Sequence, residues 1–349
     1  MTVPAPASLV FETCTPATYD EFLEFAAQCN SDRKTQYCLH VDETAVGIKN
    51  DLVQYEVDPF KTWFGARSTN SGKLLSVVGF EVNEASATGW IHGPWVSYDV
   101  ADPNNVIRRW TFDQAVAALP VMNIIRTYYD MRSQDVLEAL KVMGFTPADK
   151  MSFGMQMDAK DVRGVPCPAL SPSAAAAAES FLVRQIKIDE KDDLAAVRAL
   201  HGKTFKDPLH EFKEDSVIWN FGVYRKTPDS DATTPPPASA LVGYACVRGQ
   251  GDMPTCYIAF LGIEEAERGK GLGRLLLATI RKWFAEEETT QLDQMTLTVD
   301  ADNLRAKGIY LETGFKEICT GVGPLGERDK LKPLTADEVA EAFKKAETL

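Results

Sequence analysis

The sequence predicts an α/β protein of two domains, each a mixed sheet flanked by helices. Three observations carry this. Strand-like and helix-like segments alternate in the same order twice along the 349 residues, a Pro- and Ala-rich stretch separates the two runs, and a glycine-rich turn joins a buried strand to a long helix in the second run. At about 100–200 residues per domain, the length also fits two. Hydrophobic residues make up 45% and charged residues 25%, as in an ordinary globular protein able to bury a core in either half.

In the first half a strand at 8–14 precedes a helix at 17–29. Strands at 61–68, 73–83 and 89–98 follow, then helix 106–118, strand 121–129, helix 134–143 and strands near 145–157. This sets a first domain at 1–163. Residues 164–180, GVPCPALSPSAAAAAES, carry three prolines and a run of five alanines without an amphipathic pattern and read as a linker. A rival reading starts a helix at the alanines, with the prolines blocking its extension upstream. The second domain, 181–349, opens with strand 181–188 and helix 189–201, capped by Asp189. Strands 216–225 and 240–248 flank a Pro-rich loop at 227–239. Strand 256–263, CYIAFLGI, is nearly all apolar, as a strand buried on both faces would be. Helix 272–287 places Leu272, Leu275, Leu276, Ile280, Trp283 and Phe284 on one stripe. Strand 294–300, helix 303–313 and strand 315–322 complete the unit. A surface helix at 335–349 has Thr335 and Glu338 spaced as a capping box.

Lys and Arg number 37 against 50 Asp and Glu, a formal net charge of −13. That excludes nucleic-acid and polybasic membrane binding, both of which need a cationic surface. Any polyanionic ligand must then be held by a local feature against the global field. Cys14, Cys29, Cys38, Cys167, Cys246, Cys256 and Cys319 are scattered, odd in number and free of C-x-x-C, so they read as reduced thiols. His40, His92, His201 and His210 show no metal-ligand spacing, and no metal is expected. The N-terminal MTVPAPASLVFE lacks a basic region followed by an apolar stretch, and no apolar run is long enough to span a bilayer. A cytoplasmic location is therefore expected. Trp90, Trp95, Tyr98, Trp110, Tyr128 and Tyr129 read as core strand residues rather than a binding wall.

Chemistry concentrates in residues 257–284, YIAFLGIEEAERGKGLGRLLLATIRKWF. A buried strand ends and Arg268-Gly269-Lys270-Gly271-Leu272-Gly273 opens a helix. Glycines permit close backbone approach, and the unpaired N–H groups of a helix start suit a phosphate or diphosphate. Arg268, Lys270 and Arg274 add local positive charge. The spacing is neither G-x-G-x-x-G nor a P-loop. A second constellation lies in residues 296–315, TLTVDADNLRAKGIYLETGF, with Asn303, Ala306, Tyr310, Gly314 and Phe315.

The R-x-x-G-x-G turn together with strand–Asn–helix–Tyr–Gly-Phe resembles the GNAT acetyltransferase superfamily over about residues 181–325. The resemblance implies a central, mostly antiparallel sheet splayed between two strands, with acetyl-CoA as co-substrate. It implies that the backbone of Leu261, Gly262 and Ile263 holds the pantetheine arm, that the amides of Arg268, Gly269, Lys270, Gly271, Leu272 and Gly273 hold the diphosphate, and that Asn303 meets the arm. Tyr310 would protonate the departing thiolate. Glu264, Glu265, Asp300 and Asp302 are candidates for the general base, and His210 and Glu211 for the acceptor side; strand 256–263 has no carboxylate of its own, so a water-mediated base is a further candidate.

The first half ends in SQDVLEALKVMGF, whose Gly144-Phe145 echoes Gly314-Phe315. Leu140 stands where Tyr310 would be and Ser133 where Asn303 would be, and DVADPNNVIRRW has no glycine turn. This half reads as a degenerate GNAT-like domain without the CoA loop, making the chain a tandem. The implied activity is acetyl transfer to a primary amine, with a small-molecule acceptor favoured over a protein or peptide amine. A non-catalytic acyl-CoA sensor and a general nucleotide binder are the alternatives.

Overall fold

The computed structural model describes residues 8–100, 102–166, 168–187, 189–205, 218–226, 236–249, 254–286 and 291–339. The chain divides into two compact units, Met1–Ser152 with Cys319–Leu349, and Phe153–Ile318. Each is a mixed sheet flanked by helices.

The first unit contains β1 (Leu9–Thr13), α1 (Tyr19–Asn30), α2 (Ala45–Gln54), α3 (Pro59–Thr62), β2 (Trp63–Ser68), β3 (Leu74–Asn83), β4 (Thr88–Val96), α4 (Val106–Ala118), β5 (Ile124–Arg126), β6 (Tyr129–Asp130) and α5 (Gln134–Val142). The second holds β7 (Met151–Asp158), α6 (Ala159–Val162), α7 (Pro172–Ser180), β8 (Phe181–Ile186), α8 (Lys191–Thr204), β9 (Ile218–Arg225), β10 (Leu241–Gly249), β11 (Thr255–Ile263), α9 (Leu272–Glu286), β12 (Gln294–Asp300), α10 (Leu304–Thr313) and the start of β13 (Lys316–Val322). The short β14 (Leu325–Glu327) returns to the first unit, where it pairs antiparallel with β5. The sheet orders are β1-β2-β3-β4-β5-β14 and, in the second unit, β8-β9-β10-β11-β12-β7. All neighbouring pairs from β1 to β4 and from β8 to β11 are antiparallel, whereas β4–β5 and β11–β12 are parallel.

The units therefore do not follow the boundaries 1–163, 164–180 and 181–349. β7 precedes the Pro/Ala stretch yet belongs to the second sheet, and β14 lies within the expected second domain yet belongs to the first sheet. Composition marks where a chain bends, but the choice of which open strand edge to pair is made between distant segments. The supposed linker also contains α7. Ser171 accepts a hydrogen bond from Ala174 N and Pro172 takes the first turn, so the alanines, the best helix formers, continue from there. Ala174 and Ala177 are buried in the core that also holds Leu272, Leu276, Ile280 and Phe284 of α9.

Other departures are local. Asp189 is not the cap of α8: that place falls to Glu190, whose side chain makes no cap bond and instead accepts from Lys187 N and pairs with Arg184. The strand expected at 121–129 is two short pieces, β5 and β6. α2, α3 and β14 were not foreseen. Thr44 caps α2, which buries Ile48 and Leu52. Thr335 and Glu338 do form their reciprocal cap, with Thr335 N donating to Glu338 Oε2 at 2.7 Å. Residues 340–349 of that helix, and 227–235 of the loop, lie outside the described residues.

Candidate functional site: a cavity at the freed end of a strand

β11 and β12 pair only at Thr255–Gln294, Cys256–Met295 and Tyr257–Thr296, although both strands run on to Ile263 and Asp300. Beyond Tyr257 they part. On its other edge β11 stays paired to β10, with a bulge: Phe260 faces Cys246 and Ile258 faces Val247, leaving Ala259 without a partner. Beside the freed end of β11 lies a cavity of about 390 Å³. Its walls are Leu261, Gly262 and Ile263 from β11, the turn Arg268–Arg274 without Lys270, and Asn303, Arg305, Ala306 and Ile309 around the start of α10. Thr204 and Phe205 close it from the end of α8.

The turn is built to present amides. Gly269 and Gly271 have φ of +87° and +84°, a region L side chains avoid. Leu275 N, bonded to Gly271 O, is the first amide of α9 to find a backbone partner. The amides of Gly269 to Arg274 have none among the described residues. The glycines differ in duty. A Cβ at Gly269 or Gly273 would meet nothing within 4 Å, whereas one at Gly271 would lie 2.5 Å from the Ser173 carbonyl of α7. Gly271 thus serves packing, and Gly269 and Gly273 leave the cavity face open.

Of the expected site residues, Leu261, Gly262, Ile263, Arg268, Gly269, Gly271, Leu272, Gly273 and Asn303 all line this one cavity. Lys270 does not: its Nζ is held by Glu267 at 2.8 Å, which also receives Arg225 at 2.5 Å. Arg274 is spent on Glu312, at 2.7 and 3.1 Å. Asn303 turns its amide oxygen to its own helix, accepting from Ala306 N at 3.2 Å. Tyr310 is not a lining residue. It lies one turn beyond Ala306, about 6 Å along α10, with its ring 5.9 Å from Phe315. Its hydroxyl has no hydrogen-bond partner among the described residues, and burial, with Tyr257 adding, pushes its pKa to about 12. The phenol is thus neutral at physiological pH.

None of Glu264, Glu265, Asp300 and Asp302 lines the cavity. His210 and Glu211 lie outside the described residues. Glu267, Arg305, Thr204 and Phe205 were missed. Glu267 and Arg305 sit beside flagged residues, while Thr204 and Phe205 come from α8 running past its expected end.

The first unit parts its strands at the matching place. β4 and β5 pair only at Thr88–Ile124, Gly89–Ile125 and Trp90–Arg126. There the gap is filled by the chain itself. Gln36 bonds both backbone groups of Val96, at 2.8 and 2.9 Å, and Cys38 Sγ donates to Ile91 O. On the opposite side Leu39 N donates to Tyr128 O, and Cys38 bridges Tyr129. The buried Asn30 pins this segment through Cys38, Val41 and Asp42. Ser133, at the position of Asn303, receives Tyr37 N at 2.9 Å. The start of α4 is closed by Asp102, whose carboxylate accepts from Ile107 N at 2.7 Å and Arg108 N at 3.3 Å.

Residues 204–315 match the family model of the acetyltransferase (GNAT) family. The matched stretch lies within the second unit. Three solved structures share the fold. A GCN5-related N-acetyltransferase from Sphaerobacter thermophilus has a TM-score of 0.65 at 15% identity, covering 95% of this chain and 99% of its own. The tandem GNAT protein from the clavulanic acid biosynthesis pathway has 0.62 at 14%, covering 91% and 98%. A glucosamine N-acetyltransferase region of a fungal multi-domain GH3 β-N-acetylglucosaminidase has 0.60 at 14%, covering 92% of this chain and 38% of that one. The chain thus has the tandem GNAT fold. No curated protein matches it. Among the described residues no helix is long and apolar enough to cross a membrane, and no group of three or more His, Cys, Asp or Glu could hold a metal.

Proposed function

We propose that this chain is an acetyl-CoA-dependent N-acetyltransferase acting on a primary amine, probed best among small molecules. The observation that carries the reading is the cavity beside the freed end of β11, bordered by the bare amides of α9 and the start of α10. A diphosphate suits those amides, because the helix start supplies both donors and partial positive charge where the chain is otherwise acidic. An extended arm suits the parted edge of β11. In the first unit the segment from Gln36 to Leu39 occupies the matching gap.

In this reading the amine nitrogen attacks the thioester carbonyl directly. The C–N bond forms, the C–S bond breaks, and the free backbone edge of β11 at its bulge polarises the carbonyl oxygen. Tyr310 gives its proton to the leaving sulfur and regains one from solvent. Burial raises this phenol to about 12, and the same desolvation disfavours a free thiolate, so proton transfer to the leaving sulfur is favoured in a dry site. Glu267, the one carboxylate on the cavity wall, is committed to Lys270 and Arg225, which supports water as carrier of the amine's proton. The same commitment favours the binding-only alternative, a sensor of acyl-CoA.

Release of free thiol from acetyl-CoA, followed over a panel of small amines, polyamines and peptides, separates the two. The enzyme should turn over at least one amine, and Tyr310→Phe should cut that rate by about 10²–10⁴-fold with cofactor affinity unchanged. Tight binding with no turnover on any acceptor leaves the sensor. Peptide turnover exceeding that of every small amine overturns the acceptor class.

A further inference from the structure

Positive charge around the cavity is mostly consumed by the chain's own acids. Lys270 and Arg225 are held by Glu267, and Arg274 is forked onto Glu312. Arg268 donates its Nε to Ile263 O at 3.1 Å. Arg305 is different. It is the second residue of α10, it lines the cavity, and it has no acid or hydrogen-bond partner among the described residues. In a chain with 50 acids and 37 Lys and Arg, a guanidinium left unpaired on a cavity wall stands out.

The α9 amides account for a diphosphate, but CoA carries a third phosphate, a monoester on the ribose. A monoester holds about −1.5 to −2 charges at pH 7 and calls for a charged donor rather than neutral amides. The planar fork of arginine matches phosphate oxygens. We propose that Arg305 binds the ribose 3′-phosphate and makes the cavity selective for CoA over dephospho-CoA, an inference that rests on the cofactor reading above.

Titration calorimetry with CoA and dephospho-CoA tests this on the wild type, Arg305→Ala and Arg305→Lys. Arg305 is exposed, so both variants should keep the wild-type melting temperature. The wild type should bind CoA about tenfold or more tighter than dephospho-CoA. Arg305→Ala should bring CoA down to the dephospho-CoA level while leaving dephospho-CoA itself unchanged, and Arg305→Lys should restore part of the preference. Equal losses for both ligands would overturn the assignment, since Arg305 would then serve the diphosphate or the fold. So would a wild type that does not discriminate. If neither ligand binds the wild type, the cofactor reading falls, and this inference with it.

Discussion

In the second unit β11 and β12 separate after Tyr257 and Thr296; in the first, β4 and β5 separate after Trp90 and Arg126. Both units thus make a wedge-shaped gap, and both start a helix at its mouth. What differs is the occupant. The first unit spends a side-chain amide, Gln36, on the edge of β4, and a carboxylate, Asp102, on the amides of α4. An amide-bearing arm and an anionic group are also what a pantetheine diphosphate would offer the second unit. A gap of this kind carries unpaired backbone groups that must be satisfied from somewhere. The first unit satisfies them from its own sequence, and in the second the amides of Gly269 to Arg274 have no backbone partner among the described residues.

The sharpest way to break this comparison is to count sites. Calorimetry should give one cofactor per chain, and Gly273→Val, whose Cβ meets nothing within 4 Å, should remove that binding with the melting temperature retained. Two sites, or one that survives Gly273→Val, would place a cofactor in the first unit. Gly271→Val should behave differently. Its side chain would drive into Ser173 at a positive φ, costing about 3 kcal/mol or more in thermal or urea unfolding. A well-folded Gly271→Val protein would show that α7 is not seated on the turn.

Asp102→Ala removes the acceptor of two amides and the nearest carboxylate to the buried Arg108. A stability loss of about 2 kcal/mol is expected by denaturant titration. No second cofactor should bind, because the Gln36 segment still fills the gap. A new binding event would sharpen the comparison by showing that one carboxylate keeps the first unit closed.

The smallest effect concerns the histidines beside that segment. Burial holds His40 at about 4, and burial together with His40 holds His92 well below its ordinary range. The unfolded chain takes up these protons near pH 6.5 and the folded chain does not. Stability present above pH 6.5 is therefore lost as pH falls toward 4. Asp51 and Asp113, raised to about 7 by burial, act in the opposite direction, losing stability as pH rises from about 4 to 7. The diagnostic is thus a difference: between pH 6.5 and 4, His40→Gln should lose less stability than the wild type. Equal slopes would mean that His40 is protonated in the folded chain.

Much of the site was legible because its residues are near in sequence. Arg268 to Gly273 form one turn, and Asn303 opens the next helix. Their meeting in one cavity follows from local order, strand to helix to strand. The absence of a glycine turn in the first unit was equally plain. The plug was not: Gln36 reaches Val96 and Leu39 reaches Tyr128, across 60 and 89 residues of chain. No periodicity encodes such a choice. Lys270 and Arg274 likewise read as free cations until Glu267 and Glu312 came to neutralise them.

Most of the elements, the glycine turn and the two-fold repetition could be read from the sequence alone, because apolar spacing and glycine positions act within a few residues. The tertiary structure alone decided that β7 and β14 join sheets away from their sequence neighbours, that one gap is filled and the other open, and which charges remain unpaired. Those outcomes depend on distant groups competing for the same hydrogen bonds and counter-charges, and that competition is settled only when the chain is folded.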